Sequence, residues 1–110
     1  MWHPFKAGNT IGTPGSEAGT IVIDDEHVVG GRITLEREGR TRFAITCGIY
    51  GWMMHTRFFS NEVEAKLAFD AMKEALDAII QSIPKRNDPD REAKVKDVPD
   101  RIRSFVNRFP

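Results

Sequence analysis

Four short runs between residues 20 and 59 alternate apolar and polar side chains, and the breaks between them are too short for anything but hairpins. The runs are Thr20–Asp24, Arg32–Glu36, Arg42–Ile49 and Trp52–Phe59, separated by Asp25–Gly31, Glu38–Arg40 and Tyr50–Gly51. A period of two is the mark of a half-buried strand. Parallel neighbours need a crossover of about a dozen residues or more, so these strands are expected to form an antiparallel meander.

Turn lengths then set a register. A two-residue turn at Tyr50-Gly51 places Ile49 opposite Trp52, Cys47 opposite Met54 and Phe43 opposite Phe58. A three-residue loop at Glu38-Gly39-Arg40, with Gly39 left-handed, sets Leu35 against Phe43 and Ile33 against Ile45. A loop over residues 26–30 sets Ile23 against Ile33 and Ile21 against Leu35. One face thus gathers the isoleucines, Leu35, Phe43 and Cys47 with Trp52, Met54 and Phe58. The other carries Met53, His55, Arg57 and Phe59, with Asp24–Arg32 and Glu36–Arg42 as cross-strand charge pairs.

A helix is expected to cover the apolar face. Ser60 or Asn61 can cap it, and Asn61 with Glu64 has capping-box spacing. Ala65, Ala68, Phe69, Met72, Leu76, Ile79, Ile80 and Ile83 fall on one stripe, and Pro84 ends it. Val63 and Leu67 lie off the stripe. Val98, Ile102, Phe105, Val106 and Phe109 recur at helical spacing in the tail, with Asp97 as cap and Pro99 in the first turn. The fold class is therefore α+β: a four-stranded antiparallel β-meander, one long α-helix packed on one sheet face, and a short C-terminal amphipathic helix. Residues 1–18, rich in Gly, Pro, Ser and Thr, read as a flexible N-terminal arm. Residues 19–84 form the ββββα globular domain, and 85–110 a linker with the short helix.

Charge narrows function. Sixteen basic residues balance sixteen acidic ones, which weakens a case for a protein that works mainly by coating nucleic acid or an anionic membrane. The balance is a cancellation: residues 61–84 carry a net charge of −3 and residues 85–110 a net charge of +3. No apolar run is long enough to span a bilayer. Met1–Lys6 has no apolar signal core, so a cytoplasmic location and no membrane contact are expected.

Chemistry-bearing motifs are sparse. One cysteine gives neither a disulfide framework nor a Cys-built zinc site. His3, His27 and His55 have no ligand spacing, and no metal or other cofactor is called for. Asp24-Asp25-Glu26-His27 reads as a solvated turn. Gly8–Gly19 lacks the Gly-Lys-Ser/Thr of a phosphate-binding loop. Cys47 and His55 point to opposite faces in this register and cannot form a nucleophile–base pair. The expectation is a small non-enzymatic binding or regulatory module with no catalytic set. It is expected to be a homodimer that presents its open sheet face to a protein partner through Tyr50, Met53, His55, Arg57 and Phe59. The alternative is single-stranded nucleic-acid binding through that face and the basic tail.

Overall fold

The meander closes as expected, but it has a fifth strand. The computed structural model describes residues 1–110 as β1 (Trp2–Pro4), β2 (Thr20–His27), β3 (Gly31–Glu38), β4 (Arg42–Ile49), β5 (Met53–Phe59), α1 (Glu62–Ser82) and α2 (Arg91–Arg108). The strands lie in the order β1-β2-β3-β4-β5, every pair antiparallel. The fold is α+β.

The extra strand comes from the segment read as an arm. Trp2 pairs with His27 and Pro4 with Asp25, and the Trp2 ring meets the His27 ring edge-on at 5.0 Å. The chain then reverses at Phe5–Gly8, where Lys6 and Ala7 hold left-handed backbone (φ 48° and 56°), and residues 9–19 return across the open sheet face. There the Gly12 N–H donates to Ile21 O, Pro14 bridges Thr20, and the Glu17 and Gly19 N–H groups donate to Glu36 Oε1 at 3.0 and 2.9 Å. Gly15 rests on that carboxylate so closely that a Cβ would lie 2.3 Å from Oε2. A side chain at this position would have to push the Glu36 carboxylate aside.

Parity holds in β3 and β4, with pairs displaced by two residues: Leu35 faces Ile45 and Ile33 faces Cys47. The loop is Gly39–Thr41, with Gly39 left-handed. The expected Glu36–Arg42 pair does not form. Arg42 bonds Glu38 at 3.0 Å, while Glu36 is buried and holds the returning segment. A bulge near Val22 moves Ile21 opposite Glu36, away from the helix side where the sequence pattern placed it.

The register of β5 differs by one. Tyr50-Gly51-Trp52 forms a three-residue turn with Gly51 at φ 81°, so Ile49 faces Met53, Cys47 faces His55 and Phe43 faces Phe59. A one-residue slip turns every side chain of a strand over. Met53, His55, Arg57 and Phe59 consequently face the helices, and Met54, Thr56 and Phe58 face the open side. Trp52 leaves the pairing for the turn.

Asn61 caps α1 by accepting the Glu64 N–H at 3.0 Å. Ala65, Phe69, Met72, Leu76, Ile79 and Ile80 are buried against Ile33, Leu35, Phe43, Ile45, Cys47 and Ile49. Helix α2 lies beside α1 and buries Val98, Phe105 and Phe109, with Ile102 and Val106 packed on the same core. It begins at Arg91, inside the expected linker, because Arg91-Glu92-Ala93-Lys94 are strong helix formers. Pro99 therefore sits in the helix interior, where its missing N–H forgoes one backbone bond. The ion pairs of α2 stay in its own segment, Lys94 with Asp88 and Arg103 with Asp100. Apolar burial docks the helix, and the opposite net charges of the two segments form no bridge between them.

Candidate functional site

The run Asp24-Asp25-Glu26-His27 is not a solvated turn. It is the second half of β2, and strand alternation splits it between the two faces. On the helix side, Asp25 accepts from Lys73 at 2.8 Å, and His27 lies 2.6 Å from Asp77. The Val29 N–H donates to His27 Nδ1, so Nε2 carries the ring proton and donates to Asp77. On the open side, Asp24 accepts two bonds from Arg32, at 2.9 Å from Nε and 2.6 Å from Nη2, and a third from Thr10. Phe5 stacks beneath the guanidinium at 3.8 Å. The bond to Asp24 is the chief reason Arg32 titrates above the ordinary arginine range. Glu26 accepts the Tyr50 hydroxyl at 2.6 Å and lies 3.4 Å from His3. Partial burial, then the bond to Glu26, pushes the Tyr50 hydroxyl up to about 12.

These pairs form one end of a cavity of about 630 Å³ on the open face. Thr34, Thr46 and Gly48 make its floor, Pro14–Ser16 one wall, and the turn from Tyr50 to Met54 the other. The fold of residues 9–19 over the sheet creates it. A flat sheet face would have no such recess.

Of the five residues singled out from the sequence, the structure brings Tyr50 and Met53 together here. His55, Arg57 and Phe59 lie on the helix side. The His55 Nε2–H donates to Phe109 O, and its ring meets Phe105 edge-on. Arg57 stacks over Phe59 at 4.8 Å and reaches Phe109 at 6.0 Å. These two side chains anchor the end of α2. Sequence reasoning missed Arg32 as a cavity residue, together with Trp52, Met54 and the Pro14–Ser16 wall. The Thr-Pro-Gly-Ser spacing at residues 13–16 carried a turn signal, but no pattern ties that turn to the sheet.

The same slip brings Cys47 and His55 into cross-strand register on one face, against the expectation that they point apart. Their neighbourhood still does not make a nucleophile. Cys47 is buried, and desolvation pushes its thiol up to about 12, whereas an active thiolate needs a lowered value. The His55 Nε2–H is engaged with Phe109. A thiol reagent should therefore label Cys47 only on unfolding. A proton held up to about 12 in the fold but released near 9 in the open chain stabilises the fold fully below pH 9. That stability should fall by about 1.4 kcal/mol per pH unit between those limits. Urea titrations of wild type and Cys47→Val across that range should diverge, with the variant flatter. Rapid labelling of the native protein or identical alkaline limbs would contradict the burial.

Nowhere do three or more His, Cys, Asp or Glu side chains converge in a way that could hold a metal ion. No helix is long and apolar enough to cross a membrane. No protein-family model matches this chain, and neither a curated protein nor a solved structure is significantly similar to it.

Proposed function

We propose that the protein is a non-enzymatic binding module that works as a homodimer and offers the open side of its sheet to a protein partner. One observation carries this reading: β5 is a terminal strand, and its open side exposes Met54 (81%) and Phe58 (53%) beside Tyr50 (52%) at the turn. Large apolar side chains grouped on an unpaired edge are what association surfaces supply, and monomers usually blunt such edges with charge or proline. The two-fold arrangement is simple. Antiparallel pairing of two β5 strands about Thr56 sets Met54 of each copy opposite Phe58 of the other, a sulfur–aromatic pair on the continuous open face.

The polar groups of that face are engaged with one another, Asp24 with Arg32 and Glu26 with Tyr50. That leaves no acid, base or nucleophile in a convergent set. Nucleic-acid binding has less support. Arg42 lies 5.4 Å over Phe58, a single stacking position, but it is paired with Glu38, and Arg57 faces the helices.

Light scattering with size-exclusion chromatography tests the dimer. Wild type is expected to elute with the mass of two 12.4 kDa chains. The double variant Met54→Lys/Phe58→Lys should elute as one, with its melting temperature within a few degrees because both side chains are exposed. A wild type that stays at one chain through the micromolar range overturns the dimer. A salt-sensitive shift with single-stranded oligonucleotides would replace the protein partner with nucleic acid.

A further inference from the structure

We infer that the cavity between Pro14–Ser16 and the Tyr50–Met54 turn is a binding site for an uncharged aromatic small molecule. At about 630 Å³ it has the size of small-molecule sites, roughly 300–1,000 Å³. Its one charged lining residue, Arg32, is already matched by Asp24 through two hydrogen bonds. With Glu26 beside it on Tyr50, an incoming anion would meet two carboxylates next to that single cation. A cation would find no carboxylate on the lining itself. Neutral ligands escape both penalties.

The walls favour a flat ring. Trp52 lines the cavity with an aromatic residue, and Met54, on the open side of β5, adds a polarizable sulfur, which packs well against π systems. Hydrogen bonding at the polar end is limited. The Tyr50 hydroxyl already donates its hydrogen bond to Glu26, and Thr34 donates to Thr46 O. The Nη1 group of Arg32 is outside the Asp24 pair and can donate to a ligand oxygen. The predicted occupant is thus an aromatic molecule with one acceptor oxygen turned toward Arg32.

The wall is built before any ligand arrives. Buried Glu36 clamps the returning segment through the Glu17 and Gly19 N–H groups, and Gly15 lies flat on the carboxylate. A preformed wall removes an ordering cost from binding. The inference does not depend on the homodimer, because the cavity is formed within one chain.

Nile red, an uncharged aromatic dye with a carbonyl oxygen, is the probe. Its fluorescence is expected to rise saturably at one dye per chain, and the anionic dye ANS should bind at least tenfold more weakly. Thr46→Phe, which fills the floor, should weaken Nile red at least tenfold. Ser16→Phe fills the cavity from an exposed wall position, so it reports even if the strand variant fails to fold. Phe58→Lys lies outside the cavity and should leave the affinity within twofold. Absence of saturation, equal or stronger ANS binding, or full affinity in Ser16→Phe would overturn the site. Dye binding that is lost with Phe58→Lys would assign it to the exposed edge and overturn it as well.

Discussion

Replacing Phe105 with alanine is expected to cost about 3–5 kcal/mol of folding stability, the range for truncating a buried aromatic in a close-packed core. Phe105 is buried, with the Phe109 ring at 5.0 Å and the His55 ring at 6.2 Å. It stands where α2 meets β5, so its loss opens a cavity and loosens the contact that keeps α2 helical. An isolated helix of this length is marginal in water, and one with an interior proline more so. Domains hold only about 5–15 kcal/mol in total, which makes this loss large. Arg101→Ala, on the exposed side of the same helix, should stay within about 0.5 kcal/mol of wild type. Urea denaturation of the pair measures the difference. Equal midpoints would mean that α2 adds nothing to the cooperative unit.

The parts of this fold that could be read in advance are those in which only one parity is apolar. In β3, Ile33 and Leu35 alternate with Arg32, Thr34 and Glu36, so a slip by one would bury charge. The helix stripe from Ala65 to Ile80 was legible for the same reason. In β5 both parities are apolar: Met54 and Phe58 on one, Met53 and Phe59 on the other. The hydrophobic pattern cannot choose between them. The turn decides, and Tyr50-Gly51-Trp52 with a left-handed Gly51 is a three-residue solution that a Tyr-Gly dipeptide does not announce.

That one choice governed the candidate site. With the register moved, His55 and Arg57 became anchors for α2, and Met54 and Phe58 became the exposed edge. The N-terminal segment failed to read for a different reason. Strand β1 has three residues, and its pairing partner lies more than twenty positions away, so no local window contains both. Glu36 illustrates the consequence. In sequence it is the polar member of an alternating strand, suited to a surface ion pair. In the structure, residues 9–19 lie over it and turn it into a buried acceptor for two backbone N–H groups.

The second large effect is expected at Asp24 and Arg32. The Asp24 side chain is fully buried, and Arg32 supplies two of its three hydrogen bonds, with Thr10 giving the third. Removing the cation leaves a buried carboxylate held by one hydroxyl, a loss that usually costs about 3–5 kcal/mol. Arg32→Met should fall at the low end, about 3 kcal/mol, because the guanidinium is 34% exposed and water can replace part of it. Replacing both partners behaves differently: Asp24→Leu/Arg32→Met leaves no uncompensated charge and should recover most of the loss. The double-mutant cycle is expected to show a coupling of about 2 kcal/mol or more in urea denaturation. Additive single and double variants would show that the two groups act independently. Stability and cavity shape are linked here, since Asp24 also holds Thr10 of the returning segment, and Arg32 lines the recess that segment covers. A double variant that regains stability yet binds Nile red more weakly would separate the two roles, with burial setting the fold and the guanidinium setting the polar end of the cavity.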